Sequence, residues 1–397
     1  MSKIMPPKIM SEDQILAIID RHFPRQGASS CRASQSDPAD QARTAQGHSG
    51  LLLGRGDDCA EFMPDSALAL STDLFLENYH FRRSYFEPEE IGHKALAVNL
   101  SDLASAGAIP QGFSLGLMCP PDLDPDWLDR MFCGMGKLAA EAAIILTGGD
   151  ISAAPLLGFS LTVWGGALQA GLAGTANTTP KFAQTASTTS AQTGSTATPF
   201  LRRGAEAGDI LFVASACSEP GFSNLGLARL GLKELESKGR AALADYPQAC
   251  AALLRPTPQL AAGRLLAALQ KHGHLHCMDV SDGLARDLPR LLAAGKNKRP
   301  DFPGADLDLD RESLHPEIRR RYPANEALAE AFSGGDDYCL LCACSPDLFP
   351  QVQTALDALR PGVHLQVLGK ASSLPGIRWQ GKSIDDIWHS SAFDHFG

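Results

Sequence analysis

The stretch "EPEEIGHKALAVNLSDLASAGA" (Glu87–Ala108) reads as one helix. It begins near Pro88, which suits a first helical turn, and ends near Gly107, a residue type that readily leaves a helix. Asp102 falls near its C-terminal end, where the helix dipole disfavours an anion and a nearby cation would offset the cost. Upstream, "ALALSTDLFLE" (Ala67–Glu77) reads as a strand closed by Asp73, with Ser71 two residues earlier and therefore on the same side. Further upstream, in "LLLGRGDDCAEF" (Leu51–Phe62), a hydrophobic run meets a glycine turn. Asp57 and Asp58 stand where a phosphate-binding loop would carry lysine.

Working downstream, Leu156–Trp164 reads as a buried strand preceded by a turn, "TGGDISAAP", in which Asp150 follows Gly148 and Gly149. "GDILFVA" (Gly208–Ala214) is a strand, and "CMDVSDGLARDLPRLLAAG" (Cys277–Gly295) is a strand followed directly by a helix. In the latter, Asp279 and Ser281 alternate on the strand and Asp282 begins the helix. "SGGDDYCLLCAC" (Ser333–Cys344) is a turn followed by a strand. Near the N-terminus, Ser11 and Gln14 have capping-box spacing before an apolar stripe of Ile15, Ile18 and Ile19, which predicts a short helix. Strands and helices alternate without the strict βα repeat of a barrel or a Rossmann domain.

The 397 residues suggest two domains of ordinary size, and 44% apolar with 20% charged residues fits a soluble globular chain. A formal charge of −10 argues against a nucleic-acid binder. No apolar run spans a membrane and no signal-peptide core is present, so the expected location is the cytoplasm and the ten cysteines are expected to be reduced. Cys339, Cys342 and Cys344 lack a second CxxC pair and read as a buried strand rather than a metal site. His272, His274 and His276 lack an apparent fourth ligand and read as a solvated connection. Gln26–Gly50 and Gly171–Thr198 are low in complexity and cannot bury enough apolar surface to offset ordering. The expected organisation is an N-terminal helix and flexible segment (1–50), a first domain (51–169), an insertion (170–199) and a second domain (200–397).

What recurs is aspartate at the ends of elements: Asp57, Asp58, Asp73, Asp102, Asp150, Asp279, Asp282, Asp336 and Asp337. Taken singly, each is more often a turn former or a helix cap. Taken together, hard oxygen ligands suit Mg²⁺, and magnesium bridging carboxylate to phosphate is a coherent way for an acidic protein to bind ATP.

The order "GRGDDCA", "STDLFLENYHF", "HKALAVNLSDLASAGAIP", "TGGD", "LRRGAEAGD", "MDVSDGL", "SGGDDY" resembles the thiamine-monophosphate kinases. These belong to the ATP-binding superfamily that includes aminoimidazole ribonucleotide synthetase and selenophosphate synthetase. The resemblance runs from about Leu51 to the C-terminal "FDHF", apart from the insertion. It implies two α+β domains, a homodimer built on the N-terminal domains, and phosphorylation of thiamine monophosphate by ATP with several Mg²⁺ ions. By position, Asp58, Ser71, Thr72, Asp73, Asp102, Asp150, Asp279 and Asp282 match metal-binding residues of that family. Gly149, Asp150, Arg202 and Ser281 match nucleotide contacts. His80, Asp336 and Phe393 match contacts to the thiamine phosphate, and Asp57 would support Asp58. No general base is implied, because the nucleophile is an anionic phosphate oxygen. The chain departs from the family in three places. "GGDISAAP" lacks the hydroxyl and cation usual after "GGD", "GGDDYC" has Asp336 in place of Glu, and the insertion sits at the domain junction. A sister enzyme with another substrate and a non-catalytic nucleotide-binding protein remain as alternatives at this point.

Overall fold

The computed structural model describes residues 10–25, 51–55, 59–167, 200–216, 219, 222–293, 304–359 and 362–384. Asp57, Asp58, Phe393 and the whole 171–198 segment lie outside these residues. Among the described residues, those up to Asn99 together with Pro110–Gly166 form one compact unit. Leu100–Ile109, Ala167 and the residues from Phe200 onward form a second.

The first unit opens with α1 (Glu12–His22), capped reciprocally by Ser11 and Gln14 as their spacing predicts, with Ile15, Ile18 and Ile19 buried. A short ribbon follows, β1 (Leu51–Leu53) with β2 (Glu61–Phe62). The main sheet is built from β3 (Leu68–Leu76), β4 (Ile109–Cys119), β5 (Ile145–Ala153) and β6 (Gly158–Gly166), in the order β3-β6-β4-β5. Two helices accompany it in sequence, α2 (Pro88–Ser105) between β3 and β4 and α3 (Pro125–Glu141) between β4 and β5. Part of the core is aromatic. Phe75, Phe81 and Phe159 are each at most 2% exposed with ring centroids within 6.3 Å of one another; Phe75 and Phe81 stack, and Phe159 is tilted against both. Each buried ring contributes roughly 1.5–3 kcal/mol.

α2 ends as its sequence predicts. The amides of Gly107 and Ala108 bond back to the carbonyls of Ala104 and Leu103, and Gly107 has φ +67°. Two expectations are corrected. "TGGDISAAP" is not a turn: residues up to Ala153 belong to β5, which pairs in parallel with β4, Asp150 opposite Gly116. Local turn composition yields here to the pairing offered by a neighbouring strand, and Gly149 lets the two backbones approach. Asp73 does not close its strand either. β3 runs on to Leu76, because Leu74, Phe75 and Leu76 continue the antiparallel register with Ser160, Phe159 and Gly158.

The second unit contains β7 (Ile210–Ser215), α4 (Leu227–Lys238), α5 (Ala242–Asp245), α6 (Pro247–Leu254), α7 (Leu260–Leu269), β8 (Leu275–Asp279), α8 (Leu284–Ala293), β9 (Gly304–Leu307), α9 (Pro316–Arg321), α10 (Ala324–Ser333), β10 (Leu340–Cys344), α11 (Phe349–Asp357), β11 (His364–Ser372), β12 (Ile377–Trp379) and β13 (Lys382–Ser383). Its sheet has the order β13-β12-β9-β11-β7-β10-β8. β10 is buried at all five positions, between β7 and β8. Its cysteines are therefore core residues, and burial pushes the Cys344 thiol up to about 12. β8 stops at Asp279, so Ser281 lies in the turn after the strand rather than on it.

His315 gives this unit a pH dependence. It is 1% exposed, its Nδ1 accepts from the Glu317 amide, and burial with the nearby Arg319 charge lowers its pKa to about 4. The folded state therefore resists protonation. The stabilisation is complete above pH 6.5 and is lost as pH falls towards 4. His315→Gln should shrink the difference in unfolding free energy between pH 7 and pH 4.5 by about 2 kcal/mol, measured by urea denaturation.

Candidate active site

In the first unit, alternation along β3 sorts the expected residues. Ser71 and Asp73 share one half-buried side with Phe75, whereas Thr72 faces the other side and its hydroxyl pairs with that of Thr162 at 2.8 Å. His80 lies in the turn after β3. Its Nδ1 accepts from the Leu76 amide at 3.0 Å, which places the proton of the neutral ring on Nε2, and the ring stacks on Phe75. Gly149 and the exposed Asp150 sit on β5, at the sheet edge opposite β3. Three inter-strand steps separate those edges by about 14 Å, so the sheet does not set Asp73 beside Asp150.

In the second unit more of the expected residues come together. Asp102 lies in the last turn of α2, and its neighbour Ser101 donates to the 8% exposed carboxylate of Asp279 at 2.9 Å. Arg202 precedes β7 but is laid along β8: its carbonyl accepts from the amide of Cys277 at 3.0 Å and from His276 Nδ1 at 3.2 Å. Its guanidinium lies over the Phe200 ring. His276 is thus bound to backbone and lies within β8, whereas His274, ahead of the strand, is exposed and pairs with Glu206 at 3.1 Å, so the solvated connection covers only His272 and His274.

Two turns interlock beyond β8 and before β10. The amide of Asp336 bonds to the Ser281 carbonyl and that of Tyr338 to the Val280 carbonyl. Asp336 and Tyr338 have φ +65° and +47°, unusual for residues other than glycine and common where function holds strain. The Tyr338 hydroxyl donates to Asp336 Oδ1 at 2.8 Å. Asp282, expected to bind metal, accepts from Arg290 at 2.7 Å.

Several participants were not singled out from the sequence. Asp287 is buried, takes both the Ser281 and Asp282 amides, and is pushed up to about 6 by that burial. Arg290 bridges Asp282 and Asp287. Ser101 and Tyr338 join them. The available signal was spacing: Asp287 and Arg290 lie one and two helical turns beyond "SDGL".

The donors are carboxylates and hydroxyls with no soft ligand among them, which fits magnesium. Among the described residues, no group of three or more His, Cys, Asp or Glu forms a metal-holding cluster. Magnesium is usually held by one or two carboxylates together with substrate phosphates rather than by an all-protein cage.

Residues 56–167 match the family model for the AIR synthase related protein, N-terminal domain. The thiamine-monophosphate kinase of Escherichia coli K12 is 33% identical over 354 residues, 87% of this chain and 92% of that protein. That of Haemophilus influenzae is 29% identical over 353 residues, 87% and 92% respectively. Among solved structures, the thiamine-monophosphate kinase of Stenotrophomonas maltophilia superposes with a TM-score of 0.67 at 27% identity, covering 94% of this chain and 98% of that one. The complex of AaThiL with AMPPCP and TMP shares the fold, with a TM-score of 0.60 at 24% identity over 83% and 87% of the two chains. The fold is thus the two-unit α+β architecture of the AIR synthase-related proteins. Within that class, the chain belongs to the thiamine-monophosphate kinase family.

Proposed function

We propose that the protein transfers the γ-phosphoryl group of ATP to thiamine monophosphate, giving thiamine diphosphate and ADP. The observation that carries this reading is kinase-family similarity over 87% of the chain, with the motifs in order. The accepting phosphate oxygen is already anionic, so no side chain need remove a proton; the residues act by positioning and charge. The proposed metal ligands are Asp58, Ser71, Thr72, Asp73, Asp102, Asp150, Asp279 and Asp282. Gly149, Asp150, Arg202 and Ser281 take the nucleotide, and His80, Asp336 and Phe393 the thiamine phosphate. Several Mg²⁺ ions bound there would neutralise the repulsion between the two polyanions and the charge on the transferred group. Arg202 supplies a fixed cation, and His80 offers an Nε2–H to an anionic oxygen. Tyr338 restrains the Asp336 carboxylate, one methylene shorter than the family's usual Glu. The left-handed backbone at Asp336 suits Asp better than most residues.

The domain assignment follows the family: 51–169 as the ATP- and magnesium-binding domain and 200–397 as its C-terminal partner, in a cytoplasmic homodimer. An exposed apolar face on β3 supports the dimer, with Leu70 at 68% and Leu74 at 57% exposure. Light scattering of the purified chain should give twice the 42.1 kDa chain mass; the monomer mass would refute the dimer. Among the described residues, no helix is long and apolar enough to cross a membrane.

Incubation with ATP, Mg²⁺ and thiamine monophosphate should yield thiamine diphosphate. A folded protein that makes none, but turns over ATP with another acceptor in a substrate panel, would overturn the reading.

A further inference from the structure

The turn after β8 is shaped from beneath by one side chain. Asp287 Oδ2 accepts from the amide of Ser281 at 3.1 Å and from that of Asp282 at 2.9 Å. Its Oδ1 accepts from Arg290 at 2.9 Å, and the side chain is fully buried. The same guanidinium reaches Asp282 Oδ2 at 2.7 Å. A single carboxylate therefore fixes two successive peptide planes and places the cation that holds one of the two side chains.

We propose that Asp287 is a positioning residue of the phosphoryl-transfer site, setting the Ser281–Asp282 turn in the orientation that receives ATP and its metal. This rests on the reading of Ser281 and Asp282 as nucleotide and metal contacts. Without the carboxylate, two successive amides lose the acceptor they share, and the turn rotates to find others. Arg290 is then left with Asp282 alone and holds that carboxylate more firmly against any metal.

The chain contains its own control. Glu317 is also buried and accepts two successive amides, those of Gln248 and Ala249, at 3.2 and 2.9 Å. These residues lie in α6, outside the proposed site. A purely structural role for Asp287 would make Asp287→Ala and Glu317→Ala behave alike.

The test is calorimetric binding of a non-hydrolysable ATP analogue with Mg²⁺ to the full chain, with Tm measured in parallel. Both alanine variants should lower Tm. Asp287→Ala should raise the analogue's Kd by about 10- to 100-fold, the range seen when groups supporting a ligand are removed, while Glu317→Ala leaves it within about twofold. Asp287→Asn keeps an acceptor oxygen for the amides and should fall between wild type and Asp287→Ala; if the alanine variant does not fold, a rise in Kd for Asp287→Asn decides the matter. An unchanged Kd in folded Asp287→Ala, or equal shifts in Asp287→Ala and Glu317→Ala, would overturn the proposal. Asp282→Asn separates the two levels. If it leaves both Kd and its Mg²⁺ dependence at wild-type values, the reading of the turn fails. If it weakens binding while Asp287→Ala does not, only the role of Asp287 fails.

Discussion

Asp102→Asn should lower kcat for thiamine diphosphate formation by about 10²- to 10³-fold, the loss typical of removing one group that stabilises transition-state charge. It should do so without lowering stability. Asp102 is in the last turn of α2, whose carbonyl end repels a carboxylate. Neutralising it removes that repulsion, and Tm should hold or rise slightly, by the equivalent of about 0.3–1 kcal/mol. The opposite signs make the test sharp, because a residue kept for folding would lose both quantities together. Turnover at saturating ATP and Mg²⁺, with thermal unfolding of the same sample, measures both. A wild-type rate would remove Asp102 from the metal-binding set.

Gly149→Ala should be as damaging for a different reason. The backbone at Gly149 has φ +154°, and a Cβ there would lie 1.9 Å from the Leu115 carbonyl oxygen and 2.7 Å from its carbon. These atoms belong to the adjacent strand β4 and cannot move aside as a side-chain tip can. The substitution must part β4 from β5 or twist the chain beside Asp150, at a cost of about 3 kcal/mol or more. We expect a large fall in Tm and little remaining activity. Gly148→Ala is the comparison: a Cβ there meets nothing within 4 Å, so it should be tolerated. Equal behaviour of the two variants would show that close backbone approach is not what requires Gly149.

Much of the site was legible because its residues sit in motifs whose local chemistry is fixed by neighbours in the chain. The capping box at Ser11 and Gln14 follows from cap spacing, the end of α2 near Gly107 from glycine's freedom to leave a helix, and the shared side of Ser71 and Asp73 from the strand period of 2. Legibility failed where a distant partner decides. "TGGDISAAP" has turn composition, yet β4 offers a parallel partner through a bulge, and the segment up to Ala153 becomes strand. The strand read over Ala67–Glu77 runs from Leu68 to Leu76, but Asp73 lies inside it, because β6 carries the register three residues further.

The sequence by itself determined the family, the order of the acidic motifs and the chemistry those acids suit, because ligand type and motif spacing are properties of the chain. Only the tertiary structure decided which groups hold those acids in place: Ser101 on Asp279, Arg290 on Asp282, Asp287 beneath the Ser281–Asp282 amides and Tyr338 on Asp336. Some of these partners lie a few residues away and one lies 178 residues away. What unites them is a hydrogen bond of about 3 Å, whose direction is set by packing and not by spacing along the chain.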